Sequence, residues 1–372
     1  MSINIKTDEL KKVLQISSLT TSKDKNNILN NCFINIKDSS LNIKSTDTIV
    51  TSIQTIKIDT DEKTDPLNNS EFLISPSKML NIIKETPGDD IIIDIKNSVM
   101  TIKSNSFKTS IKTLNTDLYP KLETEDSAKL ITSINYNILK KLIKSAIYCP
   151  DKNDISREYT GVFIEIKQNS IETAATDRFR LASNLYQMKE TNKNELTTII
   201  ENEGASLITK LNIDNNIDIY RKKHSILLKT DDSDIEIKTI DSKFPDYKKI
   251  LLDENNNFIE LNKKDLLNSI KRVSILNPNN EVMLNINGDK LNISSENEEG
   301  EKSNDVINIL KATEKQSKSI ILNSKFISEF LYQLPTEIDN VLLYYKDEDK
   351  PIMFKTKNDK IKYKYIVVPI IK

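Results

Sequence analysis

Residues able to do chemistry are thinly spread along this 372-residue chain. The one histidine, His224, sits in RKKHSILL at the head of an alternating apolar run, where a surface or turn residue is the simplest reading. Cys32 and Cys149 are the only cysteines, and no Cys/His cluster has metal-ligand spacing. Carboxylates are plentiful, but Asp89-Asp90 and Asp231-Asp232 read as solvated turns. Glycine occurs only at 88, 161, 204, 288 and 300, so neither G-x-x-x-x-G-K-[ST] nor G-x-G-x-x-G is present, and there is no G-x-S-x-G. No set of acid, base and nucleophile can be nominated. The expectation is a non-enzymatic protein with no cofactor and no metal.

One stretch does carry unexplained side chains. IETAATDRFRLASN (171–184) reads as a strand, a tight polar turn at Thr176-Asp177, and a second strand. Arg178, Phe179 and Arg180 are residues that a turn does not need. Surface ion pairs to Asp177 or Glu172, each worth under ~1 kcal/mol, are one account of the arginines. A binding surface is the other.

The elements that position this turn come in threes. Apolar-periodic helices recur at Leu10, Leu139 and Leu267, 129 and 128 residues apart. FLISPSKMLNIIKETP (72–87), TIIENEGASLITKLNID (198–214) and SIILNSKFISEFLYQLP (319–335) repeat a strand followed by a helix, with Ile74, Ile200 and Leu322 as equivalent strand ends. LNIKSTD (41–47), IETAATD (171–177) and LNISSEN (291–297) are the same strand entering the same polar turn. The pairs Tyr119-Pro120, Phe244-Pro245 and Val368-Pro369 close each copy. Alternating segments between the helices predict antiparallel sheets covered by helices on one face. The fold class is therefore α+β, three like domains with two helices each, at 1–127, 128–252 and 253–372.

Composition sets the class. Hydrophobic residues are 37% and charged residues 29%, as in a soluble globular protein, and apolar runs such as Ile91-Ile92-Ile93 are far too short to span a bilayer. MSINIKTDELKK lacks the apolar core of a signal peptide, so a cytoplasmic protein with no membrane partner is expected. The net charge of −1 hides a division: the six helical segments (7–16, 75–86, 135–149, 203–214, 262–276, 323–334) total +6 and the rest −7. In 135–149 the stripe Leu139, Leu142, Ile143, Ala146 leaves Lys140, Lys141 and Lys144 on the opposite side. Charge alone fits solubilising lysines or a shared positive surface that holds a phosphate backbone without reading sequence.

ATDRFRLA (175–182), FPDYKKI (244–250), the terminal YIVVPIIK (365–372) and the threefold helix pattern decide between these readings. Over its whole length the chain resembles the bacterial sliding clamps, the beta subunits of DNA polymerase III, whose signatures look like A-T-D-x-x-R-L-A and F-P-D-Y-x-x-[VI]. The resemblance implies a head-to-tail homodimer, a six-domain ring that encircles double-stranded DNA regardless of sequence and tethers the replicative polymerase. It also implies a partner pocket between domains 2 and 3, for short linear motifs of polymerase subunits and repair proteins. That pocket would comprise Thr176, Arg178, Phe179, Arg180, Leu181, Pro245, Lys249, Ile250, Ile366, Val368, Pro369 and Ile370, with Asn323, Phe326 and Pro351 on the far side. DNA-facing residues would be Lys23, Lys78, Lys140, Lys141, Lys144, Arg157, Lys271 and Arg272, and the ring interface would hold Ile111, Ile275 and Leu276. Ring opening would fall to a separate ATP-driven clamp loader, since this chain has no nucleotide site. Two departures stand out: Arg157 to Gly161 is one residue shorter than the family's arginine-to-glycine spacing, and Ile371 replaces a common arginine. The alternative is a three-repeat DNA-binding or scaffold protein without ring closure.

Overall fold

The structure is a computed structural model that describes residues 2–37, 39–58, 70–121, 127–188, 191–192, 194–251, 257–314, 317–357 and 360–371. Strand, helix, strands, strand, helix, strands is the order in each repeat. The first runs β1 (Ser2–Lys6), α1 (Thr7–Leu19), β2 (Cys32–Lys37), β3 (Ser40–Thr46), β4 (Val50–Lys57), β5 (Ser70–Ile74), α2 (Pro76–Lys84), β6 (Asp90–Lys96), β7 (Val99–Ser104) and β8 (Phe107–Lys112). The second runs β9 (Lys129–Asn135), α3 (Tyr136–Lys144), β10 (Val162–Lys167), β11 (Ser170–Thr176), β12 (Arg180–Gln187), β13 (Leu196–Ile200), α4 (Asn202–Lys210), β14 (Asn216–Arg221), β15 (Ser225–Lys229) and β16 (Ser233–Ile240). The third runs β17 (Asn257–Asn262), α5 (Lys263–Val273), β18 (Glu281–Asn287), β19 (Lys290–Glu296), β20 (Lys302–Asn308), β21 (Lys311–Ala312), β22 (Lys318–Asn323), α6 (Ser324–Gln333), β23 (Asn340–Tyr345), β24 (Ile352–Thr356) and β25 (Ile361–Val367). These are three tandem α+β domains with antiparallel strand pairing throughout the described residues. The boundary expected at 252/253 lies outside the described residues.

Local chemistry explains the helix starts and stops. Ser75, Asn262 and Asn323 cap α2, α5 and α6, each side-chain oxygen accepting backbone N–H groups of the first turn. Leu10 and Leu139 are the fourth residues of their helices and are buried against the sheets. In α5 the fourth residue is Leu266, which is fully buried, while Leu267 is half-buried. The third member of that periodic set is thus Leu266, because Asn262 starts the helix one residue earlier than the alignment with Leu267 requires.

Contacts divide the chain into two compact units, residues 1–136 with 210–239, and residues 137–209 with 240–372. In the first unit, one sheet has the order β1-β6-β7-β8. The other is eight-stranded, β5-β2-β3-β4-β16-β15-β14-β9, joined where Val50–Gln54 of the first repeat pairs with Ser233–Ile237 of the second. Leu10, Val13 and Leu14 of α1 and Met79, Leu80 and Ile83 of α2 fill the core between these sheets. The second unit repeats the plan, with a β20-β19-β18-β22 sheet and the order β13-β10-β11-β12-β25-β24-β23-β17, to which β21 adds at β17. Its joint is β12 on β25, seven residue pairs from Arg180↔Val367 to Tyr186↔Ile361.

Among the described residues β8 and β20 each have one strand neighbour, so each offers a free backbone edge. This corrects the expectation for Ile111. Its side chain is 4% exposed and belongs to the core, because Ile111 opposes Met100 on the inward face of β8. The backbone of β8 is available for an interface, but the Ile111 side chain is not. Ile275 and Leu276, in the 3₁₀ turn Ser274–Leu276 after α5, are exposed.

Candidate functional site

The turn between β11 and β12 is built the way the sequence repeats imply. Asp177 Oδ1 accepts the N–H groups of Phe179 and Arg180, and Thr176 Oγ1 accepts the Arg178 N–H while donating to the Arg180 carbonyl. In the first repeat Asp47 and Thr46 do the same for Ile49, Val50 and Thr48. Thr48 and Arg178 both have left-handed backbones, φ 83° and 75°. The turn is shared scaffold, and what differs is the side chains it presents.

Those side chains meet the end of β25. The ladder places Leu181 opposite Ile366, and Val368 N–H extends it by donating to the Phe179 carbonyl at 2.9 Å. Ile370 N–H donates to the Ile321 carbonyl on β22 at 2.9 Å. Leu181 and Ile366 are buried in one apolar cluster with Phe163, Phe244, Tyr247 and Met353, where the Phe163 and Phe244 rings stack with centroids 4.8 Å apart. Phe179, Ile250 and Val368 are exposed around it, at 64%, 53% and 40%. Pro245 and Pro351 are half-buried and Pro369 is buried.

The FPDYKKI segment is pinned from below. Tyr247 Oη donates to Glu172 at 2.6 Å, and Lys248 Nζ lies 2.9 Å from both Glu165 and Glu172. Burial works against the Lys248 ammonium, but the two carboxylates prevail and raise its pKa. Burial and the Glu172 contact keep the Tyr247 phenol protonated. Lys249, nominated for the pocket, is exposed and paired with Asp246 at 2.7 Å.

Three nominated residues play supporting parts. Arg180 is 8% exposed, and its guanidinium donates from Nε to Asp177 at 2.8 Å, from Nη1 to Glu329 and from Nη2 to the Tyr148 carbonyl at 2.6 Å. It stacks 4.3 Å over the Phe326 ring. Arg180 and Phe326 therefore brace the turn against α6 and leave the rim to others. The Asn323 side-chain oxygen is taken up by capping α6. Arg178, by contrast, is exposed and reaches a segment not counted in the pocket. It forms a two-point ion pair with Asp154, at 3.0 and 2.6 Å, and lies 4.2 Å over the Tyr159 ring. Tyr159 lies in the 157–161 stretch whose spacing departs from the family's, which left its register open, whereas Asp154, Tyr148 and Glu329 carry no motif and only the folded chain brings them to the turn.

The cations nominated to face DNA divide. Lys78 and Lys144 are exposed, with no ion pair among the described residues. Lys140 is half-buried, and burial followed by its neighbour Lys144 lowers its pKa. Lys23 donates to the Ser18 carbonyl, and Lys271 lies 5.8 Å over the Tyr332 ring. Lys141, Arg157 and Arg272 are held by the protein's own carboxylates, Glu337 at 2.6 Å, Glu201 at 2.5 Å and Asp305 at 3.0 Å from Nε.

Three family models match end to end: the DNA polymerase III beta subunit N-terminal domain over residues 1–123, its central domain over 133–246 and its C-terminal domain over 248–370. The chain belongs to the DNA polymerase III beta subunit family. A relative from Buchnera aphidicola subsp. Acyrthosiphon pisum, named beta sliding clamp, is 28% identical over 357 residues, covering 94% of each chain. A second, from Rickettsia felis, is 23% identical over 91% of each. The fold matches the solved beta subunit of Thermotoga maritima with a TM-score of 0.89 over 100% of this chain and 99% of that one, at 21% identity. It also matches a Pseudomonas aeruginosa sliding clamp, solved bound to griselimycin, with a TM-score of 0.88 at 20% identity and full coverage of both. Within this beta-subunit fold, the turn at 176–181 and the end of β25 leave Phe179 and Val368 exposed beside each other, joined by the Val368 N–H to Phe179 carbonyl bond.

Proposed function

We propose that this chain is a sliding clamp. Two copies associate head to tail, encircle duplex DNA without reading its sequence, and tether the replicative polymerase through short peptide motifs. The chain performs no catalysis of its own, and a separate ATP-driven loader opens the ring. The observation that carries this reading is the exposure of Phe179, Ile250 and Val368 over a buried apolar floor, with the Phe179 carbonyl already bonded to Val368. Linear peptides bind such a site by seating a few apolar anchors, while the rim excludes water. Free edges at β8 and β20 support closure, because a head-to-tail contact that pairs edges completes a ring when its rotation closes. Exposed lysines on α2 and α3 support a diffuse hold on phosphates.

The test uses a fluorescent peptide with a leucine-phenylalanine anchor, titrated against the full protein and a chain ending at Val367. Saturable binding that the truncation abolishes supports the reading, and no binding to the full protein defeats the partner site. For the ring, retention on nicked circular DNA should vanish when the circle is cut. Retention that survives linearisation would favour a scaffold without closure.

A further inference from the structure

Lys12 and Lys141 hold the same place in their repeats, two residues past the equivalent leucines Leu10 and Leu139. Their surroundings differ. Lys141 is bonded at 2.6 Å to Glu337, in the turn that follows α6, and about half of each side chain is exposed. Lys12 is exposed and has no ion pair among the described residues. The turn that follows α4, at the corresponding place in the second repeat, carries an exposed Asp214 that is also without an ion pair among the described residues.

Around Lys12 the first unit opens a cleft of about 1330 Å³, lined by α1, the ends of α2 and α4, and the turns at 211–216 and 230–233. Three helices each bring one lysine to it: Lys12, Lys84 and Lys210, all exposed and without an ion pair among the described residues. The turns bring acids, of which Asp232 already accepts the Thr230 and Ser233 hydroxyls. On its helical side the cleft thus presents three positive charges from three elements. The second unit treats its cations otherwise, for Arg157 and Arg272 are taken by Glu201 and Asp305 just as Lys141 is taken by Glu337. A lysine beside its own carboxylate offers a phosphate little net charge, and an approaching phosphate meets the carboxylate as well. Exposed pairs are weak, so such a carboxylate damps the contact without forbidding it.

Resting on the clamp reading above, we propose that the backbone phosphates of duplex DNA are taken up in the lysine cleft joining the first and second repeats. Glu337 is a built-in counter-anion that keeps the matching lysine of the second and third repeats from the same contact. It is a positioning residue, since it acts on DNA only through Lys141. The hold on DNA is therefore unequal at the two joints of one chain.

Anisotropy of a short labelled duplex, titrated with the full protein at a series of salt concentrations, reads both the affinity and the number of phosphates engaged. Lys12→Gln combined with Lys84→Gln and Lys210→Gln should weaken binding and lower the slope of log affinity against log salt by about 2–3. All three side chains are exposed, so the unfolding midpoint should stay where it is. Glu337→Gln should tighten binding about threefold and steepen the slope by about 0.9, and adding Lys141→Gln should cancel that gain. Glu195→Gln removes an exposed carboxylate just before β13, makes the same change in net charge, and should do neither. An unchanged slope in the triple lysine variant overturns the cleft. Equal gains from Glu195→Gln and Glu337→Gln would reduce the effect to net charge and overturn the counter-anion. If the wild type binds the leucine-phenylalanine peptide but no duplex even at low salt, the DNA reading falls and takes this proposal with it.

Discussion

Arg180 places all three guanidinium nitrogens on the protein itself, on Asp177, Glu329 and the Tyr148 carbonyl. Removing one member of a buried charge network strands the others, typically at about 3–5 kcal/mol. Arg180→Met should therefore lower the unfolding free energy from urea titration by an amount in that range, and lose peptide binding because the turn loses its brace. The two thiols behave in the opposite way. Burial pushes Cys32 up to about 12 and Cys149 higher still, and both side chains are fully covered. Neither should react with a maleimide at pH 8 until denaturant is added, and both should react then. Glu260 carries a pH response. A hydrogen bond from Lys357 at 2.6 Å, helped by Asn340, holds its carboxyl below the usual range. A depressed folded value means that the contribution is complete above the ordinary glutamate pKa of about 4.3 and drains away as pH falls through the lower folded value. Acid unfolding scans should show Glu260→Gln flattening the loss of stability below about pH 4.

The elements were the most legible level. Periodicity located the six α-helices of the described residues, and the recurrence of LNIKSTD, IETAATD and LNISSEN marked one turn, whose cap is the same in the first two copies. Alternation along FKTSIK also held the answer for Ile111, since Phe107, Thr109 and Ile111 share the covered face of β8. Family position argued for an interface, and strand period argued for the core. What stayed hidden were partners distant in sequence. Arg178 and Asp154 are 24 positions apart, and Arg180 and Glu329 are 149 apart, with nothing local to announce either pair. Lys141, read as a free cation from its helix face, is neutralised by Glu337, 196 positions away. Close approach is another such feature. Gly161 has an ordinary backbone, yet a methyl there would meet the Ile200 carbonyl and come within 2.7 Å of Ile240 Cδ1. Gly161→Ala should cost about 1–3 kcal/mol by overpacking where β10 meets β13, measured by thermal unfolding.

For the molecule as a whole, the proposed ring rests on backbone edges more than on named side chains. Val306 on β20 is half exposed, and a charge there faces any strand that docks on that edge. Val306→Arg should shift sedimentation from dimer toward monomer without lowering the midpoint of unfolding of the chain itself. Tethering a polymerase would also make the proposed partner site a place where force is applied. Antiparallel hydrogen bonds run perpendicular to the strands. A tug along the strand axis therefore loads every rung of a ladder together, whereas a sideways pull opens rungs one at a time. The site sits where β12 begins and β25 ends, at the Arg180↔Val367 end of a seven-rung ladder. A motif gripping both Phe179 and Val368 at the proposed site would pull β12 and β25 in the same direction, so the load would pass into an eight-stranded sheet by shearing the rungs they make with β11 and β24. In the proposed clamp, the joint that holds the second and third repeats together would thus also be a tension member, pulled in the direction in which a sheet yields least.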